Sequence, residues 1–178
     1  GLYLFLDGAR LGYGLAAPDN DLTLPDIAAL CDVFYIGGTK VGALFGEAVV
    51  IKNPELAQDF RYLIKQNGGM LAKGRLLGLQ FDALFTDGLY QEISAHAIAM
   101  AEKLREAFTA KGYTYLAPNR TNQIFVIVPD AHLAKISEQF EYSYDQRIDA
   151  AHSCVRFCTG WATKEENVDA LIRCVEKI

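Results

Sequence analysis

Asp7 directly follows the apolar run Tyr3-Leu4-Phe5-Leu6, and Lys40 follows a second run, Val33-Phe34-Tyr35-Ile36, across Gly37-Gly38-Thr39. In open α/β sheets ligands sit beyond the carboxyl ends of the strands. An acid and an amine leaving two strands of one sheet can therefore converge on one crevice. The flanking glycines allow close backbone approach by a bulky ligand. The plainer alternative is a solvated lysine and an Asp-Gly turn. Two arginines extend the set. Arg10 stands three residues after Asp7, and Arg156 stands among Val155, Phe157 and Cys158, where a charge is costly unless paired. A guanidinium offers a planar fork that suits a carboxylate. The partner of each arginine is either an Asp or Glu of the chain or the carboxylate of a substrate.

Other chemistry is less well supplied. Gly37-Gly38-Thr39-Lys40 shares only composition with a P-loop, because Thr precedes Lys and no helix pattern follows. Gly12-Tyr13-Gly14 lacks the third glycine of a dinucleotide fingerprint. His152, Cys154 and Cys158 include no Cys-x2-Cys pair, so structural thiols are expected and no metal. The 178 residues carry 17 basic and 22 acidic side chains, a net charge of −5, which argues against nucleic acid as a partner. The longest apolar runs fall well short of the roughly 18 residues that a membrane span needs. Four cysteines with no secretory signal ahead of them point to a reducing, cytoplasmic setting.

The elements that must position these residues can be read along the chain. The runs 3–6 and 33–36 look like strands buried on both faces. Between them Thr23 caps a short helix over 24–31, with Asp26 closing a capping box. Strand, helix, strand makes a βαβ unit with parallel strands. A third strand over 48–51 runs antiparallel if its short connection governs. Asn53-Pro54-Glu55 opens a helix that Gly68-Gly69 stops, and a second helix covers about 71–85. A third helix shows Leu89, Ile93, Ala97, Ala101, Leu104 and Phe108 on one face and closes at Gly112. Beyond it, short strands over 113–116, 123–128, 142–144 and 154–158 alternate with helices near 131–140 and at the carboxyl end. Thr163-Lys164-Glu165-Glu166 reads as a capping box for the last helix, whose core face is Val168, Leu171, Ile172 and Val175. This gives an α/β domain over 1–111 and a small α+β domain over 112–178.

These residues together resemble the low-specificity threonine aldolase group, in the β-eliminating lyase branch of fold-type-I pyridoxal phosphate enzymes. The resemblance rests on Leu6-Asp7-Gly8-Ala9-Arg10-Leu11 and Thr39-Lys40-Val41-Gly42-Ala43. It continues through Lys65-Gln66-Asn67-Gly68-Gly69-Met70 and Val155-Arg156-Phe157-Cys158-Thr159-Gly160-Trp161. It implies the rear part of a large cofactor-binding domain followed by a small carboxyl-terminal domain. By resemblance, Lys40 bonds the aldehyde of pyridoxal 5′-phosphate and Asp7 pairs with its pyridine nitrogen. Arg10 and Arg156 bind the amino acid carboxylate, Arg10 also touching the cofactor. Thr39 helps hold the phosphate, Lys65 lines this site or the neighbouring subunit's, and Lys73 is a further site-lining candidate.

The implied reaction is cleavage of a β-hydroxy-α-amino acid to glycine and an aldehyde, in a homodimer or homotetramer. Leu71 stands where the family usually has Arg, and Lys73 or Arg75 is the nearest replacement. The family's ring-stacking residue, most of its phosphate turn and its base histidines precede the Asp-Gly-Ala-Arg strand, so these residues alone are expected to be catalytically incomplete. Two other classes remain open. One is another pyridoxal phosphate enzyme, an aminotransferase or a lyase of the tryptophanase or tyrosine phenol-lyase kind. The other is a non-catalytic oligomerisation module.

Overall fold

A computed structural model describes residues 1–178. They form two compact units, one of residues 1–15 and 20–93 and one of residues 16–19 and 94–178.

The first unit begins with β1 (Phe5–Leu6), α1 (Leu11–Leu15), α2 (Leu24–Leu30) and β2 (Val33–Gly37). A 3-10 turn over Thr39–Val41 leads to β3 (Glu47–Ile51). The expected βαβ unit is present: β1 runs parallel to β2, with Phe5 opposite Val33 and Leu6 opposite Phe34. β3 lies antiparallel on the other side of β2, from Val33 opposite Ile51 to Gly37 opposite Glu47. The Thr23–Asp26 capping box opens α2 as read, with Asp26 Oδ2 accepting from the Thr23 N–H at 2.8 Å. Side chains of Tyr13, Ile27, Phe34, Ile36, Val41, Leu84 and Tyr90 fill the interior.

Three details depart from the sequence reading, and a fourth concerns a segment to which it assigned no element. β1 is not buried on both faces: Phe5 is 60% exposed and Leu4, just before it, 52%, because β1 packs chiefly against β2 alone. The glycine-rich stretch after Arg10 is helical, since Gly14 N–H reaches Arg10 O at 3.1 Å and Tyr13 anchors the turn in the core. The single helix expected after Asn53 is two, α3 (Pro54–Ala57) and α4 (Phe60–Gln66). Asp59 between them takes a left-handed conformation, φ 56°, which breaks the helical ladder. α5 (Arg75–Phe85) starts later than 71, leaving Leu71 and Lys73 in the connection.

α6 (Leu89–Ala110) crosses the division between Ile93 and Ser94. It ends as expected at Gly112, φ 84°, with Tyr113 N–H returning to Phe108 O at 2.9 Å. The second unit then adds β4 (Thr114–Tyr115), β5 (Gln123–Pro129), α7 (Asp130–Ile136), β6 (Ser143–Arg147), β7 (His152–Cys158) and α8 (Glu165–Lys177). Its sheet is antiparallel throughout, in the order β4-β5-β7-β6. β5 alternates strictly, with Ile124, Val126 and Val128 inward against Leu104, Phe108, Leu171 and Val175. The cap of α8 differs from the reading. Thr163 Oγ1 accepts from Gly160 N–H at 2.8 Å, and Lys164 takes the N-cap position.

Candidate functional site

Asp7 and Lys40 leave the carboxyl ends of the two parallel strands, as the sequence reading required. β1 delivers Asp7 and then turns sharply, since Leu11 N–H donates to Gly8 O at 3.0 Å. β2 ends at Gly37, where the chains pass so closely that an added Cβ would lie 2.7 Å from Ala9 O. The glycine is thus required by the neighbouring backbone, a firmer reason than the ligand approach inferred from composition. Thr39 and Lys40 occupy the exposed turn that follows, closed by Gly42 at φ 102°.

The Asp7 carboxylate is held by two donors on one oxygen. Asp7 Oδ1 accepts from the Tyr35 hydroxyl and from the Ala9 N–H, the latter at 3.0 Å. The hydrogen bond from Tyr35, then that from Ala9, hold the Asp7 carboxyl below its usual range. The positive charges of Lys40 and Arg10 act in the same direction, so all three side chains share one electrostatic neighbourhood. The same bond to Asp7 pushes the Tyr35 phenol up to about 12. Lys40 is positioned through its backbone: the hydroxyl of Tyr13, a residue 1% exposed, donates to the Lys40 carbonyl. Its ammonium forms no ion pair within the chain.

Lys65 and Lys73 stand elsewhere in the first unit. Lys65 lines a cavity of about 970 Å³ with Arg61, Glu47, Met70 and Leu71, a set that includes neither Asp7 nor Lys40. Lys73 is exposed on the turn before α5 and does not line that cavity.

Arg156 belongs to the second unit, mid-way along β7 opposite Phe125 of β5. Its Nη1 donates to Gln123 Oε1 at 3.3 Å, and its guanidinium carbon lies 5.9 Å from the centre of the Phe125 ring. It makes no ion pair with any carboxylate of the chain, and its buried Nε has no partner. Of the two readings open from the sequence, no carboxylate within these 178 residues provides the first. Gln123 is itself braced from behind. Arg105 Nη2 donates to Gln123 O at 3.2 Å and to Thr121 O at 2.6 Å, while Arg105 Nε pairs with Glu102 at 3.1 Å.

Sequence reasoning missed Tyr13, Tyr35, Gln123 and Arg105. Each has a distant partner, from the 16 residues between Arg105 and Thr121 to the 33 between Gln123 and Arg156, although Arg105 also pairs with Glu102 three residues before it. No spacing signal announces such pairs. The histidines serve structure: His96 Nε2 bonds Thr163 O at 2.7 Å, and His152 Nδ1 meets Asp149 at 2.9 Å.

No protein-family model matches the chain. A low-specificity L-threonine aldolase of Pseudomonas sp. (strain NCIMB 10558) is 31% identical over 175 residues, 96% of this chain and 49% of the relative. A second, from Pseudomonas aeruginosa, is 29% identical over 174 residues, again 49% of its own length. The solved structure of Leishmania major threonine aldolase matches with a TM-score of 0.97 at 43% identity, covering 99% of this chain and 52% of that one. Catharanthus roseus tryptophan decarboxylase, at 14% identity and a TM-score of 0.69, shares the fold alone. The chain thus spans about half the length of the curated relatives it matches. The architecture is the α/β arrangement of fold-type-I pyridoxal phosphate enzymes.

Proposed function

On the premise that this chain is a relative of the low-specificity threonine aldolases over about half their length, we propose that it serves pyridoxal 5′-phosphate-dependent cleavage of a β-hydroxy-α-amino acid to glycine and an aldehyde. The observation that carries this reading is the placement of Asp7 and Lys40 beyond the ends of adjacent parallel strands, with one tyrosine hydroxyl on the Asp7 carboxylate and another on the Lys40 backbone carbonyl. The residues fit the cofactor. An ionised carboxylate suits a protonated pyridine nitrogen, and an unpaired lysine amine suits an aldehyde. When bound, the cofactor supplies that aldehyde and a ring that accepts the electrons released at Cα.

Each residue then has a defined task. Lys40 Nζ is the attachment amine. Asp7 accepts from the ring nitrogen and keeps its proton in place. Thr39, beside Lys40 in the turn, offers a hydroxyl to the phosphate. Arg156, with a planar fork and no carboxylate partner within these residues, suits the substrate carboxylate. Lys65 lines a cavity apart from Asp7 and Lys40, and Lys73 does not line it, so neither is given a role beside the cofactor.

The protein works as a homodimer or homotetramer in the cytoplasm. Exposed apolar side chains on α4 and α5, Tyr62, Leu63, Leu76 and Leu79, support the first of these. Four free thiols support the second. No helix is long and apolar enough to cross a membrane.

The test is direct. Natively isolated protein is incubated with pyridoxal phosphate, reduced with borohydride, digested and analysed by mass spectrometry. A pyridoxyl label on Lys40, lost in Lys40→Ala, and acetaldehyde released from threonine are expected. A label scattered over surface lysines would sink the cofactor assignment. A Lys40 label with keto acid and ammonia as products would replace aldol cleavage by elimination.

A further inference from the structure

Asp7 presents two unlike oxygens. Both donors from the chain, the Tyr35 hydroxyl and the Ala9 N–H, converge on Oδ1, whereas Oδ2 receives no hydrogen bond from the chain. A carboxylate that had only to be solvated would have no need of a phenol on one oxygen. Tyr35 is well placed to act as a fixed donor. It lies mid-way along β2, opposite Val49 of β3, and its ring centre stands 6.1 Å from that of Phe5 on β1. The Phe5 ring on the neighbouring strand thus flanks the Tyr35 ring that carries the hydroxyl.

We propose that Tyr35 is a positioning residue: by occupying Asp7 Oδ1 it fixes the carboxylate plane and turns Oδ2 toward an N–H donor of the ligand. This rests on the pyridoxal phosphate reading and deepens it, because the donor would be the protonated ring nitrogen. A carboxylate held on one side meets the ring with one defined geometry, as hydrogen-bonded partners behind metal ligands do. The phenol also stabilises the ionised form of Asp7, so the carboxylate remains available at lower pH than an unassisted one.

The experiment compares wild-type protein, Tyr35→Phe, Asp7→Asn and the double variant, with far-UV circular dichroism to confirm folding. Cofactor affinity is read by quenching of intrinsic fluorescence, and its pH profile by the visible absorbance of bound pyridoxal phosphate. Tyr35→Phe, which keeps the ring against Phe5, is expected to weaken binding about tenfold, the lower end of what losing such a partner costs in metal sites. It should also move the acid limb of binding to higher pH. In the Asp7→Asn background the same change should have no further effect. Tyr35→Phe binding with wild-type affinity and an unmoved acid limb, or with its full effect retained beside Asp7→Asn, would overturn the inference. A second measurement needs neither cofactor nor a Tyr35 variant. In ¹³C-tyrosine spectra the Tyr35 ring signal should be unshifted at pH 10 in wild type and titrating there in Asp7→Asn. Identical titrations would show that the bond does not exist and overturn the inference. Wild-type protein that takes up no cofactor, with the tyrosine titrations differing as expected, would overturn the functional reading and with it the ligand half of this inference, leaving only the Tyr35–Asp7 bond.

Discussion

Hydroxyl groups do much of the positioning in this molecule. Tyr13 holds the backbone of Lys40, and Gln123, an amide rather than a hydroxyl, does the corresponding job for Arg156. Tyr13→Phe leaves the Lys40 carbonyl without its donor, which should cost about 1 kcal/mol in a urea titration and slow pyridoxyl labelling of Lys40. Gln123→Leu removes the acceptor that orients Arg156. A hydrogen bond to a charged group is worth about 1.5–3 kcal/mol, so KM for the amino acid should rise about tenfold with kcat little changed. An unchanged KM would detach Gln123 from the carboxylate site. The places of Asp7 and Lys40 at strand ends, and of Arg156 within an apolar run where a charge is costly unless paired, were legible in the sequence. Tyr13 and Tyr35 were not legible, because a tyrosine in an apolar run reads as core and its hydroxyl partner lies 27 or 28 residues away.

Secondary elements with local signals matched their reading. The Thr23 box and the Gly112 stop both depend on side chains or torsions within a few residues of the boundary. Gly112→Ala forces a Cβ onto a φ of 84° and should lower stability by about 1 kcal/mol by denaturant titration. Tertiary contact decided α1, which is helical despite two glycines because Tyr13 is buried, whereas at Thr163 one local bond replaced another, the hydroxyl turning back to Gly160 three residues earlier. The packing of α7 has a pH signature. His132 Nδ1 bonds the Tyr113 hydroxyl at 2.9 Å. Burial first, then the charges of Lys111, Lys135 and His152, hold its imidazole below the ordinary value of 6.5. Folded protein thus binds fewer protons than unfolded chain between the lowered value and 6.5. Stability is full above 6.5 and declines as pH falls through that window. The urea midpoint should drop on acidification below 6.5, and His132→Gln should flatten this slope. An unaltered slope in the variant would assign the pH dependence to other groups.

At the scale of the whole chain, the two units are closed to different degrees. The second encloses a continuous core in which Phe108, Ile124, Val126, Val128, Ile136 and Val155 are all 0% exposed. The first leaves Leu44 83% and Tyr62 74% exposed, together with one face of α5. A surface of that kind favours association. Sedimentation should find a dimer or tetramer, and Leu79→Glu should shift it toward smaller species. A monomer at micromolar concentration would end the homo-oligomer proposal.

The placement of Lys40 and Asp7 on differently connected strand pairs has a kinetic consequence. Lys40 lies in the short connection of the antiparallel β2–β3 pair, whose partners are close in sequence. Asp7 joins through the parallel β1–β2 pairing, which must wait for a crossover of more than twenty residues to close. Contacts of long sequence separation form late, because loop closure comes before any gain. The lysine should therefore reach its place early in refolding and the aspartate late. A ligand that grips both would strengthen contacts absent from the folding transition state. Its presence should then be felt as slower unfolding, with little change in the rate at which the chain folds.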